Sequence, residues 1–323
     1  MTETYSTFEQ LPDVETVATI GTFDGVHRGH QHLLGRVLDR ARERNAKTLV
    51  ITFEPSPAQF FRPQAFAGRL TSAAQKIAIL QEVGIDFVLV LPFTQDLANT
   101  SATAFMTRLS ECGHVREMWI GADFALGHHR EGNAPRLREI GAGLGIDVNV
   151  IDRVDIDGES ISSSEIRGLI LSGDVERANR LLGHRFTIRG PVVHGSKVGR
   201  TIGFPTANVP LPEQEVLPLD GIYASYARLG DDPTPLEAMT YIGTRPALNT
   251  GERLIETHLL DFAGDLYGQD LATEFVSRIR PDADFPSVDA LVEQLKADEV
   301  AARRVFSSLQ HQVNTQAATT SGV

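Results

Sequence analysis

Four stretches of this 323-residue chain gather side chains that could hold a phosphate, a metal ion or a proton in transit. The first is Gly21-Thr22-Phe23-Asp24-Gly25-Val26-His27-Arg28-Gly29-His30, directly after an apolar run. Histidines three apart at a helix start lie on one face, at the positive end of the helix dipole, beside N–H groups without intrahelical acceptors. Gly21, Gly25 and Gly29 let the backbone turn tightly and approach a ligand, so the whole suits a polyphosphate. The second stretch, Ile161-Ser162-Ser163-Ser164-Glu165-Ile166-Arg167, offers hydroxyls and amides at a helix start, with Arg167 adding charge. Ser162 and Glu165 also read as a plain capping box, and both readings can hold at once.

The third stretch runs from His194 to Asn208. Gly195, Gly199 and Gly203 permit a loop that wraps phosphates with backbone amides, and Lys197 or Arg200 can supply charge. Thr206 and Asn208 share a side of an extended segment and present two oxygens suited to Mg²⁺, which binds few protein groups. The fourth is Leu254–Phe262, a strand pattern that puts Glu256 and His258 on one face with Leu260 and Phe262. A carboxylate among apolar neighbours has its charged form disfavoured unless paired, which is how general bases are tuned.

The elements that must position these residues change type along the chain. Up to about Ile151, apolar runs at Val14–Ile20, Lys47–Phe53, Asp86–Phe93, Glu117–Ala122 and Asp147–Asp152 alternate with helical segments. That alternation predicts an α/β domain, a doubly wound parallel sheet with ligands at the carboxyl ends of its strands. After His184 come short strand-like runs with turn punctuation, and helical spacing returns only beyond Ser287. A small β-barrel with one late helix is expected there. The expected domains are 14–183 and 184–309, with 310–323 a frayed tail.

Composition narrows the function classes. With 30 Lys+Arg against 42 Asp+Glu the net charge is −12, which disfavours nucleic acid and anionic membrane surfaces as partners. Cys112 is the single cysteine, so neither an intramolecular disulfide nor a cysteine zinc site is open. The N-terminal stretch lacks the basic and apolar regions of a signal peptide, and no run has the length of a membrane span. A cytoplasmic location is the expectation.

Two glycine patterns carry nothing. Gly190 to Lys197 approximates a Walker A loop with its last pair reversed and leads towards strands, and Gly141-Ala142-Gly143-Leu144-Gly145 leads from helix to strand with the wrong spacing for a dinucleotide site.

The first stretch resembles the HxGH signature of nucleotidyltransferases, in the longer form of bacterial bifunctional riboflavin kinase/FAD synthetases. Aminoacyl-tRNA synthetases share HxGH, but this acidic chain lacks their lysine-rich loop in the α/β half. Phe53-Glu54-Pro55-Ser56-Pro57 and Gly121-Ala122-Asp123-Phe124-Ala125-Leu126-Gly127 match the same family in order, as do the serine stretch and Gly199-Arg200-Thr201-Ile202-Gly203-Phe204-Pro205-Thr206-Ala207-Asn208. Gly221-Ile222-Tyr223-Ala224, Glu256 to Phe262, Asp265-Leu266-Tyr267-Gly268 and Arg278-Ile279-Arg280-Pro281 complete the resemblance, from Val14 to Phe306.

The resemblance implies ATP-dependent phosphorylation of riboflavin to FMN in the C-terminal half and adenylylation of FMN to FAD in the N-terminal half, with Mg²⁺. It places His27 and His30 on the triphosphate, closed over by Ser163, Ser164 and Arg167. Gly21, Phe23, Asp24, Gly25, Gly29, Asp123 and Ser162 are implied around the same phosphates. Gly195, Lys197, Gly199 and Arg200 are implied around those of the kinase, and Thr206 and Asn208 at its metal. Phe53, Pro55 and Pro57, and in the other half Gly221, Tyr223 and Arg280, are implied near flavin. Glu256 is implied as the catalytic carboxylate. Leu126, Ser164 and Ala247 depart from the usual family residues. Two other readings are open: a different nucleotidyltransferase with an unrelated barrel, and a flavin-binding regulator without turnover.

Overall fold

The computed structural model describes residues 2–156, 158–195, 198–230, 232–244 and 253–320. The chain divides into two units, Met1–Glu165 and Ile166–Val323, each taken here by itself.

In the first unit the β-branched runs become parallel strands: β1 (Glu3–Tyr5), β2 (Thr16–Ile20), β3 (Lys47–Glu54), β4 (Phe87–Pro92), β5 (Val115–Gly121) and β6 (Asp147–Ile151), in the order β1-β4-β3-β2-β5-β6. Every residue of β2 is buried, as expected of a central strand covered on both faces. Period-two alternation divides the core. Leu49 and Ile51 pack with Phe105, Met106 and Leu137 on one face, while Val50 packs with Leu34 and Leu80 on the other. The helices are α1 (Arg28–Arg44), α2 (Pro57–Phe61), α3 (Ala73–Val83), α4 (Gln95–Asn99), α5 (Ala102–Glu111) and α6 (Ala134–Leu144), followed by a hairpin of β7 (Asp155–Ile156) and β8 (Glu159–Ser160). Strand order reverses between β2 and β5, which marks the carboxyl end of β2 as a switch point. Edge strand β1 was not anticipated: Glu3-Thr4-Tyr5 is too short to show a period, yet pairs with Phe87, Val88 and Leu89.

Helix α7 (Ser163–Ser172) starts in the first unit and ends in the second. Helix α8 (Val175–Leu182) lies in the second unit and packs with the barrel. Its Val175, Ala178, Leu181 and Leu182 are buried, and Asn179 donates to Phe275 O at 2.8 Å while accepting from Phe186 N at 2.7 Å.

The second unit is a nearly closed antiparallel barrel of β9 (Thr187–Pro191), β10 (Ala207–Val209), β11 (Gly221–Leu229), β12 (Leu236–Thr244), β13 (Arg253–Leu259) and β14 (Asp270–Pro281), ordered β10-β13-β12-β11-β14-β9. A bridge between Val193 and Asn208 draws the chain beyond β9 against β10. A short helix, α9 (Val198–Thr201), precedes β10. The late helix, α10 (Val288–Thr320), packs Ala302 and Phe306 against Ala224, Met239 and Val276. On the other face of these strands Ser225, Thr240, Thr257 and Thr273 satisfy one another as a buried chain of hydroxyls. Residues 310–320, expected as a tail, continue α10: they lack apolar period but hold no glycine or proline to stop a helix.

Candidate functional sites

At the end of β2 the chain enters a strained turn. Phe23 (φ 49) and Val26 (φ 37) hold left-handed backbone, which a β-branched residue rarely adopts, and Gly25 (φ 78) lies between them. Gln31 Nε2 donates to Val26 O at 2.9 Å, and the Asp24 carboxylate accepts from Leu70 N at 2.8 Å and Thr71 N at 3.4 Å. Asp24 thus ties the turn to the segment leading into α3. Ser163 Oγ donates to Asp24 O at 2.9 Å, which brings the serine stretch onto the same turn, and Ser162 caps α7 through Glu165 N at 3.1 Å.

His27 is the N-cap of α1, and its own Nδ1 accepts from His30 N at 3.3 Å. That bond leaves the proton on Nε2, so a neutral His27 donates from that nitrogen. The His27 and His30 rings stack, with centroids 3.6 Å apart and planes 14° from parallel. A side chain at Gly29 would press on the His27 ring at 3.2 Å, which accounts for glycine between the histidines. Burial lowers His27 to about 4. His30 lies well below the ordinary histidine range, through burial and then the neighbouring His27 and Lys76. Its Nδ1 is buried without a partner among the described residues. Two neutral, stacked imidazoles at a helix start form a donor surface that an arriving anion would polarise.

The other predicted residues of this half fall around that centre unevenly. Asp123 is exposed and paired with Arg153. Arg167 lies in the second unit, four residues beyond Ser163 on α7. Phe53 lies near the end of β3, and its ring meets Phe93 edge-on at 5.6 Å. Phe60 and Phe61 meet Phe93 at 5.4 and 5.6 Å. Pro55 follows a cis Glu54–Pro55 bond, and Pro57 is the first residue of α2. Phe60, Phe61 and Phe93 were missed; the adjacent pair in Pro57-Ala58-Gln59-Phe60-Phe61 was the available signal. Lys76 was missed as well: it is a lone cation at a buried position of α3.

In the barrel, one lateral row of the sheet brings several of the predicted residues together. Asn208 stands opposite Glu256, Glu256 opposite Tyr241, Tyr241 opposite Ile222, and Ile222 opposite Arg280. Residues directly opposite share a face, and Glu256, Tyr241, Ile222 and Arg280 line a cavity of about 430 Å³ together with Thr206, His258 and Leu295. Glu256 is buried in its wall. The His258 ring is held in place, its Nδ1 2.7 Å from Pro205 O and its ring edge-on to Phe204 at 5.3 Å. Arg280 is held by buried Asp298 at 2.8–3.0 Å, and Gln294 supports the same carboxylate.

A Cβ at Gly195 would lie 2.5 Å from the Asn208 amide, and one at Gly199 would lie 2.3 Å from Phe204 O and 3.5 Å from Thr206 Oγ1. Backbone therefore cradles Thr206 and Asn208 where any side chain would intrude. Two neutral oxygens in a glycine cradle fit Mg²⁺ arriving on a phosphate. Arg200 is exposed; Lys197 and the segment Arg245-Pro246-Ala247 lie outside the described residues.

Two predicted flavin-side residues do not line the cavity. Tyr223 is fully buried, its ring edge-on to Phe275 at 5.3 Å and its hydroxyl donated to Leu219 O, and burial pushes that phenol up to about 12. Its neighbours on the strand alternate faces, so Ile222 reaches the cavity and Tyr223 the opposite side. Gly221 packs its backbone on Arg280 O, 2.4 Å from where a Cβ would stand.

The family model described as FAD synthetase matches residues 10–165, and that described as riboflavin kinase matches residues 182–306. The bifunctional riboflavin kinase/FMN adenylyltransferase of Escherichia coli strain K12 is 40% identical over 299 residues, 92% of this chain and 95% of that protein. Its counterpart in Listeria monocytogenes is 34% identical over 309 residues, covering 94% and 96%. A solved structure described as a macrolide-efflux protein from Streptococcus pneumoniae superposes with a TM-score of 0.84 at 30% identity, covering 94% of this chain and 98% of that one. Among the described residues of this chain, no helix is long and apolar enough to cross a membrane.

Proposed function

The chain belongs to the family of bifunctional riboflavin kinases/FMN adenylyltransferases, and from that premise we propose how its residues divide the two reactions. The protein is a bifunctional transferase: it phosphorylates riboflavin to FMN with ATP, then adenylylates FMN to FAD with release of pyrophosphate. The observation that carries the kinase assignment is the row Glu256–Tyr241–Ile222–Arg280 along one cavity wall, with Asn208 paired to Glu256 on the neighbouring strand.

In the kinase half Glu256 accepts the proton of the riboflavin hydroxyl as its oxygen attacks the γ-phosphorus of ATP. Thr206 and Asn208 would hold Mg²⁺, which supplies charge neutralisation between the phosphates when bound. Gly195, Gly199, Lys197 and Arg200 serve the phosphates. The apolar part of the cavity, with Ile222, Met239, Leu291 and Leu295, takes the isoalloxazine ring.

In the adenylyltransferase half an FMN phosphate oxygen attacks the α-phosphorus of ATP, with pyrophosphate leaving. No covalent enzyme intermediate is needed, so the protein works by in-line positioning and by stabilising charge on the leaving group. His27 and His30 donate to the triphosphate, and the glycine turn Gly21–Gly25 and the serines Ser162, Ser163 and Ser164 surround it. Arg167, one helical turn from Ser163, adds positive charge. The rings of Phe53, Phe60, Phe61 and Phe93 offer faces and edges to a flavin. Asp24 acts through the turn it braces, and Asp123 through its pair with Arg153.

The test is purified protein with riboflavin, ATP and Mg²⁺, flavins being separated by chromatography over time. FMN appearing before FAD is expected. FMN without FAD, even with FMN supplied, would reduce the first unit to a binding module. Absence of both products would favour a flavin-binding regulator.

A further inference from the structure

Beneath the strained turn lies a charge that the reaction scheme above does not use. Lys76, on α3, is only 6% exposed, and its Nζ donates to Thr22 O at 3.2 Å and to Thr52 Oγ1 at 3.0 Å. Thr52 Oγ1 itself donates to Thr22 O at 3.1 Å. Burying an ammonium is costly unless it is paired, yet both acceptors here are neutral. Asp24 and Glu54 act on Lys76 only through space, and Glu54 is already engaged by Arg69 at 2.9 Å. If fixing the Thr22 carbonyl were the whole task, Thr52 alone would serve it. An ammonium has three donors, and two are occupied.

The geometry has a direct consequence for the turn. In a trans peptide the carbonyl of one residue and the N–H of the next point in opposite directions. Drawing Thr22 O inward onto Lys76 and Thr52 turns the Phe23 N–H outward, and that N–H has no acceptor among the described residues. Phe23 holds left-handed backbone, and its ring lies 5.1 Å from that of His30. We propose that Lys76 is a positioning residue for adenylyl transfer: it holds the Thr22 carbonyl inward so that the Phe23 amide faces the polyphosphate, and places a fixed positive charge beneath the His27–His30 pair. Burial lowers the Lys76 pKa, Glu54 and Asp24 act in the opposite direction, and Arg69 lowers it further.

This inference rests on the adenylyltransferase reading, so the experiment carries two readouts on the full-length protein. Lys76→Met, Lys76→Arg and wild type are compared for FMN-to-FAD turnover, and each is titrated calorimetrically with Mg²⁺ and α,β-methylene-ATP. Lys76→Met is expected to lower kcat on the order of tenfold to a hundredfold, with the KM for FMN little changed and Lys76→Arg restoring most of the rate. One of two nucleotide sites should weaken in Lys76→Met while the other is unchanged. Unaltered kcat together with an unaltered isotherm overturns the proposal. So does a loss that Lys76→Arg shares in full alongside a lowered unfolding midpoint, since packing would then be the whole role. Should wild type form no FAD, the adenylyltransferase reading fails, and the isotherm alone decides whether Lys76 organises a nucleotide site.

Discussion

Asn208 and Glu256 face each other on neighbouring antiparallel strands, so the proposed metal ligand and the proposed base share one face of the barrel at a separation fixed by strand pairing. Glu256→Gln keeps the shape and removes the proton acceptor. FMN formation should fall by about a hundredfold or more while conversion of supplied FMN to FAD persists. Loss of both activities in Glu256→Gln would break the assignment of separate sites.

The reverse separation applies to the stacked histidines. His30→Ala removes a ring buried against His27 and Phe23, and with it a donor to the triphosphate. FAD formation should drop on the order of a hundredfold, with FMN formation from riboflavin unchanged. Chromatography of the two flavins from one reaction reads both halves of this outcome.

Burial of His27 also makes the first unit acid-sensitive in a defined window. Its pKa is about 4 in the folded chain against 6.5 for an ordinary histidine, so the unfolded chain binds more protons between those values. Stability is therefore fully present above pH 6.5 and is lost as pH falls towards 4, by about 2 kcal/mol between pH 6.5 and 5 for His27 alone. His30 adds in the same direction. Asp86 and Glu117, whose pKa values lie below the ordinary carboxylate range, contribute only at lower pH. Urea midpoints at pH 5 and 7 should differ markedly in wild type and less in His27→Gln.

How much of this was legible in the sequence depends on range. The strands of the α/β half and the helix-start histidines declare themselves through local period and spacing, and both lie where expected. So does Glu256 on one face with His258, since alternation along a strand is a local property. What sequence could not supply was pairing between distant strands. Tyr223 and Ile222 are adjacent, and only the barrel decides that Ile222 reaches the cavity while Tyr223 packs on Phe275. Lys76 looks like an ordinary helix lysine until α3 is seated beneath the turn, and Phe93 joins Phe60 and Phe61 only through the pairing of β3 with β4. The partner of α8 is likewise a strand almost a hundred residues further on: Asn179 bonds to Phe275 across a separation of 96 residues.

The glycine cradle gives a steric prediction. Gly195→Ala places a methyl carbon 2.5 Å from the Asn208 side chain, closer than carbon atoms approach, and the amide must turn away from its place beside Glu256. FMN formation should fall on the order of tenfold or more, with weaker dependence of the rate on Mg²⁺ concentration at the low end, and FAD formation from FMN should be untouched. Wild-type kinase activity in Gly195→Ala would show that Asn208 is not held by that loop.

Phe61 offers the cleanest separation of binding from folding. Its ring meets Phe60 and Phe93 edge-on but is 59% exposed, so replacing it removes little buried area. An exposed ring held at the rim of an aromatic cluster is suited to stacking on a planar ligand, where a contact is worth about 1 kcal/mol. Phe61→Ser should therefore leave the unfolding midpoint within a degree or so and raise the KM for FMN about fivefold, with kcat little changed, because the ring touches flavin and not phosphate. Quenching of flavin fluorescence on binding to the first unit should weaken in parallel. If kcat fell while KM held, the aromatic cluster would instead be bracing the phosphate-binding turn, and the flavin would have to lie elsewhere along the carboxyl ends of the strands.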